Sequence, residues 1–145
     1  MSNASAPKSV LFVCNMNQIR SPMAEYLTRH HFGKTVFALS AGLEYGSQDG
    51  FVNAVMREKG IDISGHEPET LKDLEDSYFD LVISLTDAAD QECRRIFGND
   101  AMEIENWSTE NPSSTIGRRE DVLRSYRKTC DDLEKRIIAR FGAGD

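Results

Sequence analysis

Cysteine is scarce in this chain. The three present, Cys14, Cys93 and Cys130, are an odd number, and no secretory signal is visible before them. That argues against a disulfide framework and for a reducing, cytoplasmic setting, where a thiol that matters is catalytic or redox-active. Long apolar runs are missing too. None approaches the roughly 18 residues a membrane span needs, so no membrane partner is expected. Cations are in deficit: 17 Lys and Arg against 24 Asp and Glu leave a formal net charge of -7. This balance argues against a nucleic-acid partner and means that an anionic ligand needs a locally positive site. The histidines His30, His31 and His66 have no Cys or carboxylate partner at zinc-ligand spacing, so no metal is expected. There is no internal repeat, low-complexity tract or dividing linker, and 145 residues suit one domain. The opening Met-Ser-Asn-Ala-Ser-Ala-Pro has neither a basic region nor an apolar core. Residues 1–7 read as a flexible leader or expression scar, and residues 8–142 as a single domain.

What is present alternates in period. Val10-Leu11-Phe12-Val13 is a short, continuous apolar run, the pattern of a buried parallel strand. Pro22 stands where a helix begins, with Ser21 as its N-cap, and Met23, Ala24 and Leu27 form a stripe that Gly33 ends. Residues 35–40 read as a second strand, and Phe51, Val52, Val55 and Met56 as a helical stripe ending at Gly60. Leu71 and Leu74 suggest a short helix in a polar stretch, and Phe79 to Leu85 a third strand. Thr86 caps a helix to about Phe97, closed by Gly98, and Ala101 to Glu105 is a weak fourth strand. In the tail, Val122, Tyr126, Thr129, Leu133, Ile137 and Phe141 share one helical face. Strand–helix alternation of this kind predicts a three-layer α/β domain with a parallel sheet, whose ligands bind beyond the carboxyl ends of the strands.

Cys14 lies at one of those ends. Cys14-Asn15-Met16-Asn17-Gln18-Ile19-Arg20-Ser21 is a Cys, five residues, an Arg and a Ser between a strand and a Pro-started helix. Backbone N–H groups of such a tight loop form an anion nest, and the helix N-terminus adds a positive end. Arg20 can fork onto two oxygens of a phosphate. The same positive field favours the Cys14 thiolate, an in-line nucleophile beneath a bound oxyanion. Ser21 can donate to that sulfur. Asn17 can cross-link the loop through its amide and tolerates left-handed backbone. The plain alternative is a buried structural Cys beside an exposed Arg. The strand and the Ser-Pro helix start on either side favour the chemical reading.

Residues 10–25, VLFVCNMNQIRSPMAE, resemble the signature of the low-molecular-weight protein-tyrosine phosphatase family, which shares its fold with the thioredoxin-coupled arsenate reductases. The likeness continues in Ser40-Ala41-Gly42, Gly60-Ile61-Asp62-Ile63-Ser64 and Asp80-Leu81-Val82-Ile83, and ends at Asn111-Pro112. The resemblance implies a four-stranded parallel sheet flanked by helices. It implies Cys14 as nucleophile, Arg20 as phosphate clamp, Ser21 as thiolate stabiliser and Asn17 as loop brace. Asn15, Met16, Asn17, Gln18 and Ile19 would complete the phosphate-binding loop. Two positions depart: the family usually has Gly where Met16 stands and often a second Cys where Ile19 stands.

The larger departure is Asn111. In the family an Asp before Pro protonates the leaving oxygen and later activates water. An amide cannot do this, and general acid–base catalysis is worth about 10²–10⁴-fold. Glu110 is the neighbouring substitute. Its other reading is a solvated loop carboxylate. Trp107 either walls the pocket or packs the loop onto the domain, and Tyr45 is a candidate rim aromatic. Ser113 and Ser114 stand where many of these phosphatases have paired tyrosines, which weakens any claim for phosphotyrosine. Residues 85–93 resemble the redox segment of the arsenate reductases. Cys93 matches its second thiol and is a candidate redox residue, while Thr86 occupies the place of the first. The plain readings are a half-buried helix Cys for Cys93 and core packing for Cys130. The leading expectation is a phosphomonoester hydrolase with a phospho-Cys14 intermediate, weakened by Asn111. The alternatives are an arsenate reductase that uses Cys93 or an outside thiol, such as thioredoxin or glutathione, and a catalytically weak binder of phospho-ligands. None of these needs a cofactor.

Overall fold

The computed structural model describes residues 7–98 and 102–142. Apart from Pro7, the expected leader lies outside them, as does Ala101, the expected start of the fourth strand. The elements are β1 (Ser9–Cys14), α1 (Arg20–Phe32), β2 (Phe37–Gly42), α2 (Gly50–Glu58), β3 (Leu81–Ser84), α3 (Asp87–Phe97), β4 (Glu103–Asn106) and α4 (Arg119–Gly142), with short 3₁₀ turns at Leu71–Leu74 and Pro112–Ser114. The strands form one parallel sheet in the order β2-β1-β3-β4.

That order makes β1 the turning point of the sheet. The chain leaves β1 toward β2 on one side and later returns to β3 on the other, so a crevice opens at the carboxyl end of β1. Cys14 is the last residue of β1, level with Gly42 of β2, and Val13 is level with Ser84 of β3.

The two-residue period of β1 divides the core. Val10, Phe12 and Cys14 face α1, α2 and α4, packing with Met23, Leu27, Val55, Leu133 and Ile137. Leu11 and Val13 face the other way, toward Val82, Ala89, Cys93 and Phe97 beneath α3. The predicted faces of α2 and α4 turn inward: Val52, Val55 and Met56, and then Tyr126, Thr129, Leu133, Ile137 and Phe141 are buried, while Phe51 and Val122 are half-buried against the same core.

Several boundaries differ from the sequence reading: the third strand is Leu81–Ser84, inside the expected Phe79 to Leu85, and the fourth is Glu103–Asn106, ending one residue beyond the expected Glu105. Three further differences have a hydrogen-bonding context. The second strand starts at Phe37 because the Thr35 and Val36 N–H groups turn back onto the Phe32 carbonyl, at 2.9 and 2.8 Å. The stretch at Leu71–Leu74 is a 3₁₀ turn, closed by a reciprocal Thr70–Asp73 capping box. Helix α1 starts at Arg20, so Ser21 is inside its first turn and is not the N-cap. The residue in the cap position is Ile19, which offers no side-chain acceptor. The first N–H groups of α1 are therefore left for another partner.

Candidate active site

The Ser21 hydroxyl, absent from the cap position, meets the nucleophile. Cys14 Sγ and Ser21 Oγ are 2.9 Å apart in a buried contact. This follows from the register: Cys14 ends a strand whose side chain points toward α1, and Ser21 sits in the first turn of that helix.

Asn17 holds the loop between them. It is the one non-glycine residue with positive φ among the described residues, at 50°. The left-handed turn falls there and not at Met16, so the Gly usual at Met16 is not needed for that turn. Asn17 is fully buried, and all four of its amide hydrogen-bonding sites are satisfied. Its Nδ2 donates to Ser21 Oγ at 2.8 Å and Ser40 Oγ at 2.9 Å. Its Oδ1 accepts from the Glu69 N–H at 2.9 Å and contacts His66 Nε2 at 3.1 Å. Behind it, Ser40 donates to Glu25 at 2.5 Å, and Glu25 pairs with Arg29. Burial pushes the Glu25 carboxyl above its usual range, against the lowering effects of Ser40 and Arg29. Burial pushes His66 down, and Arg29 adds to that. Ser40 lies in the Ser-Ala-Gly segment noted above. Glu25 and His66 were missed, because no short-range spacing marks residues that meet only through Asn17 and Ser40.

Arg20 carries the most pointed observation. Its Nη1 donates to the Thr109 carbonyl at 2.9 Å, across 89 residues of chain. Its Nε is buried and has no hydrogen-bond partner. A buried donor without a partner is costly in a protein interior. Burial pushes the guanidinium down, while the negative charge of a Cys14 thiolate pulls it back up. A fixed guanidinium with a free N–H, an uncapped helix start and a buried thiol thus converge. That donor set fits a tetrahedral oxyanion.

The remaining loop residues frame this core. Asn15 and Met16 are exposed, Gln18 is half-buried, and Ile19 packs into the core. Asn111 is exposed on the far loop, where its Oδ1 accepts from the N–H and Oγ of Ser113 at 3.0 and 2.8 Å. Glu110 is exposed beside it. Both line a cavity of about 380 Å³ against α4, together with Lys128 and Arg136. Trp107 lies on Phe12 with ring centroids 6.3 Å apart, and its Nε1 donates to Glu105. Tyr45 is 61% exposed and donates to Asp73 at 2.5 Å. Cys93 is fully buried on the face of the sheet opposite Cys14, deeper than the half-buried position expected, and burial pushes its thiol up to about 12. Thr86 caps α3 as expected. Cys130 packs in the core against the Met56 sulfur at 3.6 Å. Among the described residues, no three His, Cys, Asp or Glu are grouped to hold a metal ion, and no helix is long and apolar enough to cross a membrane.

The profile of the low molecular weight phosphotyrosine protein phosphatases matches residues 9–141. The chain belongs to that family. Among curated relatives, an arsenate reductase of Bacillus licheniformis is 32% identical over 136 residues, covering 90% of this chain and 92% of the relative. A glutaredoxin arsenate reductase of a Synechocystis species is 30% identical over 139 residues, covering 92% and 98%. Among solved structures, an arsenate reductase in its phosphate-binding state superposes with a TM-score of 0.78 at 27% identity, covering 95% of this chain and 99% of that one. A low molecular weight protein tyrosine phosphatase from T. tengcongensis gives 0.72 at 28% identity, covering 89% and 94%. The four-stranded parallel sheet flanked by helices is thus the fold of low molecular weight phosphatases and arsenate reductases alike. Membership in this family makes the chain one of a group of oxyanion-handling enzymes.

Proposed function

We propose that the chain is a phosphomonoester hydrolase that captures the phosphoryl group covalently on Cys14 and turns over slowly. The observation that carries this reading is the buried, unpartnered Nε of Arg20 in the loop that closes over the Cys14–Ser21 pair. The Cys14 thiolate attacks phosphorus in line. An S–P bond forms, the bond to the leaving oxygen breaks, and that oxygen departs with the electron pair. Arg20, the loop N–H groups and the start of α1 hold the equatorial oxygens. Ser21 stabilises the sulfur before attack and after release. With Asn111 at the acid position, the leaving oxygen takes its proton from water. The water that then cleaves the S–P bond gives its proton to solvent. Leaving groups that are stable as anions suffer least. Activated aryl phosphates are therefore the expected substrates in vitro, with turnover abolished in Cys14→Ser. Absence of both turnover and a phospho-cysteine would refute the reading.

A second reading, arsenate reduction, is favoured by the names of the curated relatives and by the chemistry left at Asn111. Cys14 attacks arsenic, and a hydroxyl takes a proton from solvent and leaves as water, giving a Cys14–arsenic(V) adduct. A second thiolate then attacks the Cys14 sulfur. The S–As electron pair passes to arsenic, arsenite leaves, and a disulfide remains. The incoming thiolate needs no general base. Cys93 is buried on the opposite face of the sheet and Thr86 carries no sulfur, so the second thiol comes from outside, as glutathione or a thioredoxin-like protein. Arsenite release that requires added thiol and survives Cys93→Ser is the outcome expected of this reading. No release with either reductant would exclude it.

A further inference from the structure

Thr86 does more than cap a helix. Its Oγ1 accepts the Ala89 N–H at 3.0 Å, which directs its own hydrogen elsewhere, and it donates to Asn15 Oδ1 at 2.8 Å. The residue before it makes the matching contacts along the backbone. The Leu85 N–H donates to the Val13 carbonyl at 2.8 Å, and the Leu85 carbonyl accepts the Thr109 N–H at 3.0 Å. The Thr109 carbonyl in turn accepts from Arg20 Nη1 at 2.9 Å. Asn15 is anchored at its other side, where its carbonyl accepts from the Leu43 and Glu44 N–H groups at 2.8 and 3.0 Å.

These contacts close a ring. The residue after the nucleophile and the arginine at the far end of the same loop are both tied to one dipeptide, Leu85-Thr86, at the end of β3. We infer that Thr86 is a positioning residue for the oxyanion loop: its hydroxyl ties Asn15 to the end of β3, where the backbone of the adjoining Leu85 holds Arg20 through Thr109, and so it fixes the width of the loop mouth. This rests on the reading that the loop binds an oxyanion. In that reading the mouth must present Arg20 and the loop N–H groups at fixed separations, and small displacements weaken all the contacts together. Without the hydroxyl, the Asn15 side chain is free to rotate and the β3–α3 turn loses its link to the loop.

The test uses inorganic phosphate as the probe and protection of Cys14 from iodoacetamide as the readout, scored on the peptide that contains Cys14 so that Cys93 and Cys130 do not contribute. In the wild-type protein phosphate protects Cys14. Thr86→Val is expected to raise the half-protecting phosphate concentration about fivefold to tenfold, the effect of one lost hydrogen bond in a polar site. Thr86→Ser restores the wild-type value. Thr86→Val also removes the cap of α3, so Asn15→Ala serves as the variant that keeps the cap and breaks only the bridge. It is expected to reproduce the loss, and the double variant to be no worse than either single one. A Thr86→Val protein that melts lower but is protected by the same phosphate concentration would reduce Thr86 to a helix cap. Losses that multiply in the double variant would likewise overturn the inference. Failure of phosphate to protect the wild-type protein would instead overturn the oxyanion reading, and the inference with it.

Discussion

Arg20 and Asn111 define the protein at the scale of single residues. Arg20 has one N–H on a backbone carbonyl and a buried Nε without a partner. Arg20→Lys keeps the charge but loses the planar fork, so phosphate affinity is expected to fall by about tenfold or more, read by the same alkylation-protection titration. In the proposed hydrolase Asn111 is the opposite case, a residue of the right size without the right proton. Asn111→Asp is expected to raise turnover of alkyl phosphates by about 10²–10⁴-fold and of activated aryl phosphates much less, read as kcat on the two substrate classes. Equal gains on both would show that leaving-group protonation is not what the site lacks.

At the scale of elements, the close approach of β2 to the loop decides whether the site forms. A Cβ built on Gly42 would lie 2.5 Å from the Asn17 nitrogen and 2.7 Å from the Met16 carbonyl carbon. Both are backbone atoms and cannot rotate away. Gly42→Ala is therefore expected to destabilise the fold by about 1–3 kcal/mol and to weaken phosphate binding together, checked by denaturant unfolding and the protection assay. A variant with normal phosphate affinity would show that the loop adjusts. Much of this level was legible in the sequence. The apolar run at Val10–Val13, the Thr86 cap and the stripe of α4 each carry a local signal that the fold obeys. The start of α1 was not legible, because Ser21 satisfies the usual N-cap rule while its hydroxyl is drawn to a sulfur seven residues away. Nor was the Asn17–Ser40–Glu25–His66 network, whose members lie up to 49 residues apart and meet only after the parallel sheet closes.

For the molecule as a whole, the sheet separates its thiols. Cys14 ends β1 at the crevice, Cys93 lies under α3 on the opposite face, and Cys130 packs with Met56 between α4 and α2. Burial pushes both Cys93 and Cys130 up to about 12 from the ordinary 9.0. Their folded values exceed the unfolded ones, so their contribution to stability is intact below about pH 9 and is lost as pH rises toward about 12. Stability is therefore expected to fall over that alkaline window, with a shallower fall in Cys93→Ala and in Cys130→Ala relative to each variant's own value at pH 7. A pH dependence unchanged in both variants would contradict this assignment. The family and the four-stranded parallel sheet were within reach of the sequence at this scale. The opposite placement of Cys14 and Cys93 was not, since it depends on which face of β1 each helix covers.

In the proposed hydrolase the loop from Cys14 to Ser21 captures an oxyanion covalently while its proton transfers are impaired. This capture is tested most directly by quenching turnover of an activated aryl phosphate with denaturant at mildly alkaline pH, where the S–P bond persists, followed by mass spectrometry of the peptide containing Cys14. A phosphoryl group is expected on Cys14 in a large fraction of the molecules, and in a smaller fraction of Asn111→Asp, where hydrolysis of the adduct has its base again. An unmodified Cys14 in both proteins, with or without product formation, would contradict it.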